Sequence, residues 1–376
     1  MLVMKKIGII TFHKAHNYGA MLQAYALQKT LKKMNSEAYI IDYRDDYVLN
    51  NYYLFKMKIR GEKPKNILKK IIKNVIFFNK KYKRYRNFEK FVKKYYNLSK
   101  KYKSEEKLKR DYPLYDIYIT GSDQVWNTNI TNGLKDAYTL NFGTDSTKRI
   151  SYAASIGNND IDEKYKKVYK EKLSKLDKIS VREENAKKAL EKIISKEINV
   201  VLDPTMLLTS KEWEEIIQFE KEEKEEYILS YVVEDNMEHQ KIVNYLSEKT
   251  GLKVIHFEPK NNKYKNILKN ANNVGPLQFV KLIKDAKYIV ATSFHATIFS
   301  ILFRKKFFIV PHVKTGTRVT NLLEKLSITD RTYEKFEEFK RIDYDFETDY
   351  DKVNKILKEE RKKSLEFLNN VIEEKN

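Results

Sequence analysis

The chain has 376 residues, 41% hydrophobic and 13% aromatic, with no cysteine and a formal net charge of +22 at pH 7. That length exceeds what one hydrophobic core usually organises, so two domains are expected, and the missing cysteines exclude disulfides and thiolate metal sites and suit a reducing compartment. No apolar run approaches the ~20 residues a membrane-spanning helix needs, and the short apolar start reads as a strand rather than a signal peptide, so the expected location is cytoplasmic.

Lys6 to Phe12 reads as a strand, Gly19 to Met34 as a helix and Ala38 to Tyr43 as a second strand, a βαβ unit that implies a parallel sheet. The connecting loop, Thr11 to Ala20, carries one glycine and matches neither dinucleotide nor Walker patterns. Gly19 suits a tight strand-to-helix turn and Asn17 a helix cap, while His13 and His16 are candidate ligand contacts whose commoner fate is plain solvation. Between Lys56 and Arg110, 22 Lys and Arg stand against 4 acids, which concentrates nearly all of the excess charge in one segment. Within it, Ile67, Ile71, Val75, Phe78, Tyr82, Tyr85, Phe88 and Val92 recur at threes and fours, the spacing of an amphipathic helix. Such an arm suits either a solvated helical hairpin or peripheral contact of residues 56–110 with an anionic membrane at its inner face. No nucleic acid is expected, because no finger, RNP-like or helix-turn-helix signature accompanies the charge.

Tyr115 to Thr120 is the next expected strand, running into Gly121-Ser122-Asp123-Gln124-Val125-Trp126-Asn127 at the end of a strand where open α/β sheets bind ligands. Arg149 to Ser155, Ile179 to Arg182 and Val200 to Leu202 follow as strands, and Asp203-Pro204 reads as a strand end with no chemistry assigned. The first domain is therefore 1–210, with a basic helical insertion at about 50–110. A charged helical stretch, Lys211 to Glu226, opens a second domain at 211–345. Its strands are expected at Tyr227 to Val233, Lys253 to Phe257, Tyr288 to Ala291 and Phe307 to Val310, separated by helices near Met237 to Lys249, Pro276 to Asp285 and Ala296 to Phe303. Residues 346–376 form a last helix placed to return across both domains. The fold class is α/β: two Rossmann-like domains facing a cleft.

The run Ala291 to Ser300 puts His295 where a strand turns into a helix. Unpaired N–H groups and a partial positive charge at a helix start favour an anion there, and an imidazole with an ordinary pKa of about 6.5 can move protons beside it. The alternative is a buried histidine that only caps the helix. No His, Asp and Glu cluster has metal-ligand spacing, so no metal is expected.

Six motifs in order, TFHKAHNYGAMLQAYALQ at 11–28, GSDQVWN at 121–127, SYAASIG at 151–157, SVRE at 180–183, LDPT at 202–205 and TSFHATIFS at 292–300, resemble the polysaccharide pyruvyl transferase family, collinear from about residue 6 to about 331. The resemblance implies a glycosyltransferase B-type fold and a reaction in which phosphoenolpyruvate gives a pyruvate ketal on a sugar of a cell-surface polysaccharide or its lipid-linked precursor, with no separate cofactor. It places His295 and Arg182 at the donor site. Many members have Arg-Leu-His where this chain has Ser293-Phe294-His295, so cationic help is looked for from Lys305, Lys306 or Arg318. Asp123 is the candidate for the second proton transfer or for gripping sugar hydroxyls, its alternative role being to shape the turn. Asn17, Tyr18, Ser122, Gln124, Trp126 and Asn127 are candidate acceptor contacts, Trp126 through stacking on a sugar face or else by simple packing. Two other readings fit the residues: a glycosyltransferase using a nucleotide sugar on the same fold, and a non-catalytic polyanion-binding protein.

Overall fold

The computed structural model describes residues 4–50, 52, 78–144, 146–257, 264–311 and 316–374. Strands β1 (Lys6–Ile10), β2 (Glu37–Tyr43), β3 (Leu98–Tyr102), β4 (Ile117–Thr120) and β5 (Lys148–Ser151) form an all-parallel sheet in the order β3-β2-β1-β4-β5. A short parallel pair, β6 (Ile179–Val181) and β7 (Ile198–Val200), extends its far side through bridges to Ile150 and Ala154. The second half repeats the same design with β8 (Tyr227–Tyr231), β9 (Lys253–Phe257), β10 (Ile267–Asn270), β11 (Tyr288–Ala291) and β12 (Lys306–Ile309), ordered β10-β9-β8-β11-β12 and again parallel. These are two Rossmann-like domains.

The central strands read as uninterrupted apolar runs, such as Ile117-Tyr118-Ile119 and Tyr288-Ile289-Val290-Ala291, because helices cover both sheet faces and no side is left to water. The outer strands β3 and β10 escape that pattern. Leu98-Ser99-Lys100-Lys101-Tyr102 and Ile267-Leu268-Lys269-Asn270 bear lysines because each lies at a sheet edge, where charge discourages further strand pairing.

In both sheets the strand order reverses between the first strand and its neighbour on the other side, β1 with β4 and β8 with β11. Loops leaving the carboxyl ends of such a pair diverge to opposite faces and leave a crevice, the usual ligand site of open α/β sheets. The loops at 11–17, 121–127, 232–236 and 292–293 all start there.

One continuous apolar cluster joins the domains, running from Ile7, Leu22 and Leu27 through Trp213 to Phe279, Ile289 and Phe299. Tyr18 stacks on Phe279 with centroids 4.4 Å apart, and Trp213 meets Phe299 edge-on. The helix Phe78–Tyr95, within the basic segment, is wedged between the domains rather than standing free. Its Phe88 is fully buried, its Arg84 donates to the carbonyls of Asn272 (2.6 Å) and His16 (2.9 Å) and to the Tyr18 hydroxyl (2.8 Å), and its Asn87 reaches the Asn273 carbonyl. Ile67, Ile71 and Val75 of the expected apolar stripe lie outside the described residues. The closing helix, Tyr350–Glu373, straps the halves: Ser364 accepts from the Leu202 amide, Arg361 donates to the Met206 carbonyl, and Glu360 pairs with Lys325 of the second domain. Among the described residues no helix is long and apolar enough to cross a membrane.

Candidate active site

His295 sits in the first turn of the helix Phe294–Leu302, directly after β11, and is 8% exposed. Its ring packs on Gly19 near the start of the helix Tyr18–Lys33 of the other domain: a β-carbon at Gly19 would lie 1.9 Å from Nδ1. The glycine therefore serves a close approach between domains. Gly19→Ala is expected to displace the imidazole by an ångström or more and to cost catalysis on the order of 10²-fold, read as kcat with the overall fold unchanged by circular dichroism.

On its other side, His295 Nε2 stands 3.5 Å from Asp203 Oδ2 and lacks a hydrogen-bond partner. Asp203, fully buried after β7, is the hub of the site. Its Oδ2 accepts from Ser122 Oγ (2.9 Å) and Arg182 Nη1 (2.9 Å), while Oδ1 accepts from the Thr205 amide (3.0 Å) and hydroxyl (2.6 Å). Burial opposes its charge, but His295, Arg182 and the Thr205 hydroxyl outweigh that and hold the carboxyl far below the usual carboxylate range. Nothing local in Leu-Asp-Pro-Thr distinguishes this hub from a strand end, so sequence reasoning missed it.

Arg182 follows β6 and is 7% exposed. Its Nε donates to Glu183 Oε1 (3.0 Å), Nη1 serves Asp203, and its guanidinium lies 4.5 Å from the Phe294 ring centroid. Its Nη2 is buried without a partner. Arg318, on the helix Thr317–Lys325, also has an unpartnered Nε; burial first, and then the like charge of Arg182, lowers its pKa from the ordinary arginine value. Ser293 is the residue before the His295 helix, and its side chain makes no capping hydrogen bond there.

Asp123 holds a left-handed backbone (φ 82°), and its Oδ1 accepts from the Gln124 amide at 2.9 Å. It is half-buried and its charge acts on Arg182, Arg318 and the half-buried Tyr52, whose phenol is raised by burial first and by Asp123 second. Tyr52 is a second group that the sequence did not single out.

Several candidates lie elsewhere. Trp126 is fully buried and donates to the Tyr138 carbonyl, so it offers no face to a sugar. Tyr18 is 2% exposed and locked between domains, and Ser122 is committed to Asp203, so neither is free for an acceptor. Lys305 precedes β12 at the amino end of its sheet, opposite the cleft, and Lys306 beside it pairs with Asp345 and Glu347; neither supplies charge to the histidine. His13 Nε2 lies 3.0 Å from Asp42 Oδ1 in a buried contact and His16 Nε2 3.0 Å from Glu89 Oε1 in a part-buried one, so both rings are engaged within the protein rather than toward a ligand. Asn17 is exposed at the cleft-side loop and caps the first helix by accepting from the Ala20 amide. Gln124 and Asn127 bond each other beside Gly157 and shape the loop after β4. No group of three or more potential metal ligands occurs among the described residues.

A groove of about 630 Å³ lies away from the histidine. It runs between the helix Phe78–Tyr95 and residues 269–278 of the second domain, with Lys83, Lys90 and Lys94 on one wall.

The profile of the family described as "Polysaccharide pyruvyl transferase" matches residues 17–312. No curated protein matches the sequence. Among solved structures, Arabidopsis thaliana UGT89C1 is similar with a TM-score of 0.50 at 10% identity, covering 98% of this chain and 100% of that one. The UDP-N-acetylglucosamine 2-epimerase of Rickettsia bellii gives 0.49 at 12% identity, covering 98% of each chain. Likeness at this identity concerns the fold, which is of the glycosyltransferase B type.

Proposed function

The chain belongs to the polysaccharide pyruvyl transferase family, and from that premise we propose that it transfers pyruvate from phosphoenolpyruvate to two hydroxyls of a sugar in a cell-surface glycan precursor, releasing inorganic phosphate. The observation that carries this reading is the Asp203 carboxylate bound to Arg182 Nη1 at 2.9 Å and facing His295 at 3.5 Å, where the crevices of both sheets meet. A doubly anionic donor needs cationic and N–H partners. Arg182, Arg318 and the helix start at Ser293, which lacks a side-chain cap, supply them.

The chemistry asks for one proton delivered to the methylene carbon of the enol and one removed from each attacking hydroxyl. The first sugar oxygen adds to C2, phosphate departs with its bridging oxygen, and the second hydroxyl closes the ketal, so atoms balance. His295, with Nε2 uncommitted and Asp203 beside it to stabilise an imidazolium, is placed for the delivery. Asp123, half-buried and facing the arginines, is the candidate base. For the acceptor, the basic groove beside Lys83, Lys90 and Lys94 suits a phosphate-bearing precursor.

The test is thermal-shift titration followed by product analysis. Phosphoenolpyruvate is expected to raise Tm, and mass spectrometry of candidate lipid-linked or nucleotide sugars to show a gain of one pyruvate less one water. Stabilisation by uridine or guanosine diphosphate, with no response to phosphoenolpyruvate, would instead assign the site to nucleotide-sugar chemistry.

A further inference from the structure

Three buried N–H donors without partners line one small crevice: Arg182 Nη2, Arg318 Nε and Asn321 Nδ2. Unsatisfied buried donors are costly, more so when charged, so three together call for an acceptor that the protein itself does not supply. Arg318 and Asn321 are three apart on the helix Thr317–Lys325 and so share its face, in the first turns of a helix whose leading residue Gly316 provides no side-chain cap. Arg182 arrives from the other domain with its remaining nitrogens already engaged by Glu183 and Asp203. Neither Arg318 nor Asn321 makes a side-chain hydrogen bond or ion pair among the described residues.

The crevice measures about 30 Å³; besides the three donors it is lined by apolar residues such as Leu202, Met206, Phe294 and Leu322 and by Glu184, Asp203 and Lys325. A carboxylate offers about four in-plane lone pairs, enough for three donors that reach it from two sides.

We propose that Arg182, Arg318 and Asn321 form a carboxylate clamp that spans the two domains and seats the carboxyl end of a small α-keto-acid-type donor, directing its other end toward His295. The clamp rests on the functional reading above for the identity of the donor but not for its preference for carboxylates. It also explains how a chain with Ser293 at the start of the His295 motif obtains a second guanidinium: Arg318 comes from the next helix rather than from the same loop. Closing the clamp requires both domains, so donor binding and interdomain contact are coupled.

The experiment is calorimetric titration of the full chain with oxalate, phosphoenolpyruvate and inorganic phosphate separately, repeated on Asn321→Leu and Arg318→Lys. Asn321→Leu is near in size and is checked for an unchanged Tm; Arg318→Lys keeps the charge but loses the planar fork. Oxalate is expected to bind the wild type, and both variants to weaken it about tenfold or more. Oxalate that fails to bind, or binds both variants as it does the wild type, overturns the clamp, as does inorganic phosphate that displaces oxalate at equal concentration. Oxalate binding that follows the variants while phosphoenolpyruvate does not bind keeps the clamp and sinks the pyruvyl-transfer reading, so the two failures are separable.

Discussion

Replacing His295 with alanine is expected to lower kcat for pyruvyl transfer by about 10²–10⁴-fold, the range typical of a positioned acid or base, while leaving phosphoenolpyruvate binding within a few-fold of wild type. The split follows from the geometry. The donor's anionic groups are met by Arg182 and Arg318, neither of which hydrogen-bonds the imidazole, whereas His295 Nε2 is the titratable nitrogen left without a hydrogen-bond partner at the junction of the sheets. Phosphate release at saturating donor and acceptor measures kcat, and calorimetry measures binding. A variant that retains wild-type kcat would remove His295 from the chemistry and leave it as a packing partner of Gly19. Gly19→Ala provides the matching control, because it moves the ring without removing it.

The second large effect is on stability. Asp203→Ala removes the carboxylate that satisfies Arg182 Nη1, Ser122 Oγ and Thr205 in a fully buried site, leaving the guanidinium with Glu183 as its one remaining paired carboxylate among the described residues. Breaking a buried pair from one side costs about 3–5 kcal/mol, which predicts a Tm lower by roughly 4–6 °C for a chain of this size. The pH dependence has a definite sign. The folded-state pKa of Asp203 is depressed, so its contribution is fully present above the ordinary unfolded value near 4 and declines as pH falls below it toward the folded value. The Tm gap between wild type and variant should therefore be widest at neutral pH and narrow below about pH 4. A gap that widens in acid, or is absent at pH 7, would show that Asp203 is not charged and paired as described.

How far the site was legible can be followed residue by residue. Arg182 and His295 both stand at places with a local signature, the strand end in Ser-Val-Arg-Glu and a strand-to-helix junction, and the structure puts them beside a shared carboxylate. Trp126 and Tyr18 carried an equally plausible signature for sugar contact, since aromatic residues in polar loops often bind glycans, yet burial against Tyr138 in one case and Phe279 in the other removes them from solvent. Lys305 and Arg318 are both cations close in sequence to His295. Strand direction separates them: Lys305 lies before β12, Arg318 after it, and in a parallel sheet only the carboxyl ends face the crevice.

The basic segment shows the same division. Its charge and helical spacing were plain, but charge cannot say which face is solvated. Arg84, Asn87 and Glu89 turn out to be the contacts by which its described helix joins loop 11–17 to residues 272–273, so part of the polar face is an interdomain surface.

What the sequence by itself determined is the alternation of strands and helices, two parallel-sheet domains, and the junctions where ligands gather, because backbone geometry and apolar periodicity act over a few residues. Only the tertiary structure decided that Asp203 joins His295 to Arg182, and that Asn321 and Arg318 line one crevice with that arginine. Those contacts depend on which loops two separately folded sheets bring within 3 to 4 Å of each other, and no local pattern encodes a distance between residues that lie on different domains.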